Sequence, residues 1–194
     1  MNKKAERGRA TREHLVDVAT RLFAEHGYED TSIEAVLREC EISRGALYHH
    51  FNGKEALFEA VFQAVETAVS EEMAAASAGL TDPVEALREG CLTWIRLAGD
   101  PVVQRIVLID APSVLGWQRW REIEDQHSLG LAKAVLRRAA QDGRLPRELA
   151  DPFAHMLLVS LNEIATIIAR SDDPETAMRE GRAAVEEYLR RLLP

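Results

Sequence analysis

Four Asp-Pro pairs, Asp82-Pro83, Asp100-Pro101, Asp151-Pro152 and Asp173-Pro174, constrain this chain more than any other feature. An Asp carboxylate accepts from the first orphan amides of a helix, and Pro suits the next position, where its missing N–H costs nothing. Each pair therefore marks a helix start, predicting helices at roughly 83–98, 101–109, 152–170 and 174–192. Elsewhere apolar residues recur with period 3.6, and no stretch alternates as a half-buried strand would. A first helix is predicted from about Thr11 to His26, with Leu15, Val18, Leu22 and Phe23 on one face and Gly27 as its left-handed C-terminal residue. Thr31-Ser32-Ile33-Glu34 reads as a capping box opening a second helix to about Glu39. Ser43 caps a third from Arg44 to about His49, and a fourth runs from Lys54 toward Ala78 behind Leu57, Phe58, Val61, Val65 and Val69. A long helix over roughly 114–141 ends at Asp142-Gly143. The chain is predicted to be all-α, with about nine helices.

Composition agrees. Gly and Pro together are 18 of 194 residues, fewer than usual, and 46% of residues are hydrophobic, enough for a core. The two cysteines, Cys40 and Cys91, fit no zinc or redox spacing and are expected as buried, reduced thiols. The N-terminus is polar and basic, unlike a secretory signal, and no run reaches ~18 consecutive apolar residues. A soluble, cytoplasmic protein with no membrane partner is expected.

The formal net charge of -8 argues against a protein that coats nucleic acid. Its distribution is uneven. Residues 1–54 hold nine Lys and Arg against nine Asp and Glu, while residues 55–194 hold fifteen against twenty-three. Within the first twelve, Lys3, Lys4, Arg7, Arg9 and Arg12 face Glu6 alone. That basic arm precedes a helix, a three-residue turn and a helix over residues 31–50, the length of a helix-turn-helix whose second helix enters the major groove. Ile33, Val36, Leu37, Ile42 and Leu47 can hold such helices crossed. On the short second helix Arg44, Gly45, Ala46, Tyr48 and His49 are the residues able to face DNA. Arg44 is the best base reader, since its fork matches guanine O6 and N7. Gly45 and Ala46 permit close approach. Tyr48, His49 and Lys54 suit phosphate oxygens, as do Thr31 and Ser32 at a helix N-terminus. The basic arm is expected to track phosphate or the minor groove.

The run ISRGALYHHFNGKEAL, Ile42 to Leu57, with the spacing from Thr31 through Phe51 to Lys54, resembles the signature of the tetracycline-repressor (TetR) family of bacterial transcriptional regulators. The likeness covers about Leu15 to Phe58, and APSVLGWQRWREIE resembles that family less specifically. Glu41 departs from it, standing where Gly is usual; a non-Gly residue with positive φ there costs about 1 kcal/mol. The resemblance implies a DNA-binding domain over residues 1–53, a ligand-binding and dimerisation domain over 54–194 with 54–78 as connecting helix, and subunits paired through their last two helices.

A reader this small needs a two-fold partner to engage two half-sites. Helix 152–170 is apolar over most of its circumference, so Phe153, Leu157, Leu161, Ile164 and Ile168, with Ala177, Gly181, Ala184 and Tyr188 of the last helix, are the expected dimer interface. On the predicted 114–141 helix, Glu124 and His127 share a face with Trp117 and Trp120, and polar groups among tryptophans need partners. With His155, Asn162 and Thr166 opposite, and Trp94, Leu97, Arg105 and Ile106 alongside, they form a predicted pocket, apolar with few polar handles. Alternatively Glu124 and His127 pair with each other near solvent over a plain core.

No phosphate loop, H-E-x-x-H or G-x-S-x-G occurs, so an enzyme is not expected, nor any cofactor. Adjacent His49 and His50 point about 100° apart and cannot share a metal. The expected partners are a double-stranded operator, a small effector and a second copy. Taken with the resemblance, the expected function is a repressor released from a palindromic operator by a small apolar or amphipathic effector. An activator or co-repressor-dependent regulator with the same parts stays open, as does a ligand-binding or scaffold protein with an idle helix-turn-helix.

Overall fold

The computed structural model describes residues 3–193, with side chains from Ala5. Among these residues every regular element is helical. The N-terminal unit comprises α1 (Lys3–Asp30), α2 (Ile33–Cys40), α3 (Arg44–His50) and the first turns of α4 (Lys54–Ala76). They close on Leu15, Phe23, Val36, Leu47, Phe51, Leu57 and Phe58, all buried. Phe58 meets Phe23 and Tyr28 edge to face, with centroids 5.2 and 5.1 Å apart, which fastens α4 to α1. Beyond Phe58, α4 runs on into the body, burying Phe62, Val65 and Val69 there.

The body holds α5 (Pro83–Leu97), α6 (Pro101–Val103), a π-helical segment Gln104–Asp110, α7 (Ala111–Val114), α8 (Gly116–Gln126), α9 (Ser128–Gln141), a 3-10 turn at Arg147–Leu149, α10 (Ala150–Ala169) and α11 (Pro174–Leu192). α5 lies between α4 and α9, and α10 packs on α9, α5 and α11. Arg147–Ala169 is apolar enough by length and composition to cross a membrane. The fold uses it as a core helix, with Leu157, Leu161, Ala165 and Ile168 turned inward. Cys40 and Cys91 are buried free thiols, as expected.

Asp82, Asp100 and Asp173 cap their helices, accepting from the amides of Val84, Val102 and Thr176. The fourth pair differs: α10 starts at Ala150, two residues before Pro152, and Asp151 is held by a two-pronged ion pair with Arg137 at 2.7 and 2.6 Å. The capping box is also displaced. Ser32, not Thr31, accepts from the Ala35 amide, and Glu34 pairs with Arg44 instead of returning to the cap. The basic arm is no separate strand of chain but the first turns of α1.

Two predicted helices are interrupted. After Asp100-Pro101 the chain forms a π-helical segment just ahead of Pro112, with the Ala111 amide reaching back to the Ile106 carbonyl. The predicted 114–141 helix breaks at His127 (φ -123°, ψ -114°). Gly130 permits the sharp bend: a Cβ there would stand 2.4 Å from the Asp125 carbonyl oxygen.

Candidate functional site

The prospective DNA-reading face is built from buried residues outward. Leu47 is fully buried and pins α3, leaving Arg44, Gly45, Tyr48 and His49 exposed and Ala46 half-buried. Ser43 caps α3, its Oγ accepting from the Ala46 amide at 3.2 Å. The turn is closed by the Ile42 amide donating to the Leu37 carbonyl at 3.3 Å. It places Glu41 in the left-handed region at φ 54°, ψ 34°, the one non-glycine with positive φ among the described residues. Arg44 lies free of the core, its guanidinium donating to the exposed Glu34 carboxylate. Such a surface pair is weak and exchanges readily for a base edge or phosphate.

Other predicted DNA contacts divide. Ser32 is exposed at the α2 N-terminus. Thr31 is buried, its hydroxyl shared between the carbonyls of Gly27 (2.8 Å) and Leu22 (3.1 Å), so it ties α1 to α2 and cannot touch DNA. Lys54 donates to the Glu29 carbonyl at 3.2 Å and sits 4.2 Å over the Tyr28 ring, which gives it a structural anchor at the α1–α4 junction. Arg12 stacks 5.1 Å over Phe51; Arg7 and Arg9 are exposed, Arg9 beside Glu13 at 3.6 Å. The side chains of Lys3 and Lys4 lie outside the described residues.

The predicted pocket residues are brought together only in part: Trp117 and Trp120 lie 5.2 Å apart, Glu124 hydrogen-bonds Asn162, and Trp117 and His155 line one surface groove. Trp117 is 66% exposed, because the break at His127 turns α8 away from the α9 face that a continuous helix would have shared. Arg121 lies over both Trp117 and Trp120, 4.5 and 4.7 Å from their ring centroids, which are 5.2 Å from each other. His155 is exposed and Thr166 donates within its own helix to Asn162. Ile106 is core, Leu97 is partly buried against it, and Arg105 belongs to the junction described below. Trp94 alone of the predicted set lines an apolar cavity of about 120 Å³ between α4, α5, α9 and α10. Its walls include Met73, Leu87, Cys91, Ser128, Val135 and Leu161, none of which carries a charge or was predicted to line a pocket.

Beside this cavity lies a buried polar cluster. Ser128 Oγ donates to Glu66 at 2.7 Å, and Arg121 donates to Glu124 at 2.9 Å. Glu66 is 1% and Glu124 2% exposed. Burial pushes Glu66 up to about 7. It also raises Glu124, to about 8, helped by the charge of Glu66 and opposed by Arg121 and Asn162. Glu124 thus pairs with Arg121 one turn away on its own helix, not with His127, which is depressed by partial burial. Glu66 was legible in principle, as an acid on the α4 stripe beside Val65 and three residues before Val69.

A third contact joins reader to body. Gly27 interrupts α1 at φ 80°, ψ 169°, positive as predicted, yet the helix resumes for another turn. A Cβ at Gly27 would lie 1.7 Å from the Arg105 guanidinium. Arg105 donates to Asp110 at 3.1 Å, and the same carboxylate oxygen accepts the Tyr28 amide at 2.8 Å. The π-helical segment therefore grips the bend in α1.

The residues of the predicted interface divide by burial. Leu157, Leu161 and Ile168 are buried within the subunit, and Gly181 lies against Ile164 and Ile168. Phe153, Ile164, Ala177 and Tyr188 are half-buried and Ala184 is exposed. The bare apolar row of α10 is Met156, Val159 and Ile167, each more than half exposed.

A model of the tetracyclin repressor-like C-terminal domain matches residues 84–192, and a model of the bacterial tetR regulatory proteins matches residues 15–61. The chain belongs to the TetR family. TetR-family members are non-enzymatic DNA-binding transcriptional regulators. A crystal structure of a TetR-family regulator from Pectobacterium atrosepticum is 32% identical over 99% of this chain and 98% of that one, with TM-score 0.81. The HTH-type transcriptional regulator AcrR of Shigella flexneri is 34% identical over 88 residues, 45% of this chain. The chain spans 41% of that relative's length. The transcriptional regulator FadR from Bacillus subtilis, in complex with stearoyl-CoA, shares the fold at 19% identity and TM-score 0.75, over 93% of this chain and 97% of that one.

Proposed function

We propose that this TetR-family protein is a homodimeric repressor that leaves a palindromic operator in the cytoplasm when a small apolar or amphipathic effector fills the body's cavity. One observation carries the reading: α4 belongs to both sites. Its first turns pack Leu57 and Phe58 into the reader, and its last turns give Met73, Ala74 and Ser77 to the cavity wall. A guest that displaces the end of α4 moves the reader with it. The grip of Arg105 and Asp110 on α1 supplies a second link. An effector need favour the non-matching state by only ~2.7 kcal/mol to shift the equilibrium about a hundredfold. The bare row Met156, Val159 and Ile167 supports a two-fold contact, since such a stripe seeks cover.

The test is a mobility-shift titration on DNA flanking the protein's own coding region, at several salt concentrations. Specific binding that falls about tenfold or more in Arg44→Ala supports the reading, as one good base contact is worth about 1–3 kcal/mol. Lack of any specific site at low salt would indicate an idle reader. A reporter that rises with effector marks a repressor; one that falls marks a co-repressor mechanism.

A further inference from the structure

The lining of the cavity restricts its guest more sharply than its volume does. Among the described residues no Asp, Glu, Lys, Arg or His contributes to the wall; the polar contributors are Ser77, Cys91, Trp94 and Ser128. Ser77 is only half-buried, so water can serve its oxygen, and its proton goes to the Met73 and Ala74 carbonyls at 3.1 Å. Burial pushes the Cys91 thiol up to about 12, so it brings no charge. Two groups remain. Trp94 is 3% exposed, and its Nε1–H is buried without an acceptor. Ser128 spends its proton on Glu66 and keeps oxygen lone pairs. A buried donor with no acceptor costs about 1–3 kcal/mol, so this cavity favours a guest that brings a lone pair.

Charge narrows the choice. A carboxylate or phosphate head would find no cation in the wall, and Glu66 lies directly behind Ser128. An ammonium has three donors and no acceptor, and would leave the Trp94 N–H as it is. A hydroxyl both accepts and donates. We propose that the effector is a compact, uncharged molecule with an apolar body and one hydroxyl, whose oxygen accepts from Trp94 Nε1–H and whose proton is directed to Ser128 Oγ. The inference rests on the reading of this cavity as the effector site. Its volume of about 120 Å³, smaller than the ~150 Å³ apolar cavity that holds benzene, limits the body to at most one six-membered ring.

Benzyl alcohol, toluene, benzylamine and benzoate share that ring and differ in the head group. Calorimetric titration of the full chain with each, at about pH 7.5, tests the assignment. Benzyl alcohol is expected to bind about tenfold tighter than toluene, and both charged analogues at least tenfold weaker than the alcohol. Trp94→Phe keeps an aromatic ring and removes the N–H; it should bring the alcohol down to toluene's affinity and leave toluene within about threefold. Should that variant fold poorly, Ser128→Ala carries the same comparison, with a smaller loss of preference for the alcohol. Toluene binding without that preference, tighter binding of either charged analogue, or a preference that survives both substitutions overturns the hydroxyl assignment and leaves the cavity as a ligand site. Failure of all four to bind overturns the hydroxyl assignment and the cavity's role together, while specific DNA binding stays a separate measurement.

Discussion

Glu66 sits on the apolar face of α4; its hydrogen-bond partner is Ser128 of α9, and its charge acts on Glu124 of α8, which Arg121 holds. Its carboxyl therefore keeps its proton in the fold up to about pH 7, whereas the unfolded chain loses it near the ordinary carboxylate value. Between those values the folded state binds more protons, so stability is greatest at the acid end and falls as pH rises through about 7. The difference is worth about 3 kcal/mol. Glu66→Gln cannot ionise and still accepts from Ser128, so its melting temperature should vary less between about pH 5.5 and 8 and exceed that of the parent at the upper end. Thermal melts across that range check it; parallel curves would contradict it. Glu41 offers a simpler case. Its left-handed conformation suits Gly, so Glu41→Gly should raise stability by about 0.5–1 kcal/mol in urea unfolding. This strain was legible because the turn register alone places residue 41 there. The cavity wall was not, because Met73, Leu87 and Val135 are ordinary core residues until three helices converge on them.

Among elements, the caps and periods predicted helix existence well, since Asp82, Asp100, Ser43 and Asp173 act locally. The breaks were less legible. His127 has no helix-breaking chemistry of its own; what bends the chain there is the packing that delivers Ser128 to Glu66 and lets Gly130 approach Asp125. That single bend leaves Trp117 on the surface and separates the predicted pocket residues of α8 from Trp94. The π-helical segment has a comparable tertiary purpose, aiming Arg105 and Asp110 together at the bend in α1. Asp110→Ala removes the acceptor of both the Arg105 guanidinium and the Tyr28 amide. The loss should be about 1–3 kcal/mol in chemical unfolding, with hydrogen exchange at the Tyr28 amide speeding in step. Unchanged exchange there would mean that the reader is held to the body by Phe58 and its neighbours alone.

At the scale of the whole molecule, charge and symmetry act together. The acidic excess lies entirely beyond residue 54, so the body repels DNA while the neutral reader and the exposed Arg7, Arg9 and Arg44 present the approachable side. On the proposed reading that arrangement limits non-specific binding, and specific affinity depends on two readers acting at once. Two half-sites demand a two-fold axis, and the bare row on α10 is where the chain has apolar surface to place one. Val159 lies near the middle of that row, 58% exposed and outside the subunit's own core. Val159→Glu should therefore leave the helical content and the melting of the isolated subunit nearly unchanged. In the assembly it buries an unpaired carboxylate against its symmetry mate, a penalty of several kcal/mol repeated by the two-fold axis. Sedimentation at micromolar concentration should show the parent at twice the 21.7 kDa chain mass and the variant at that mass. Operator affinity should drop at least tenfold with it, because one reader then binds without the other. A variant that stays dimeric would place the axis elsewhere. A monomer that keeps full operator affinity would show that a single reader suffices, and the palindromic operator would go with it.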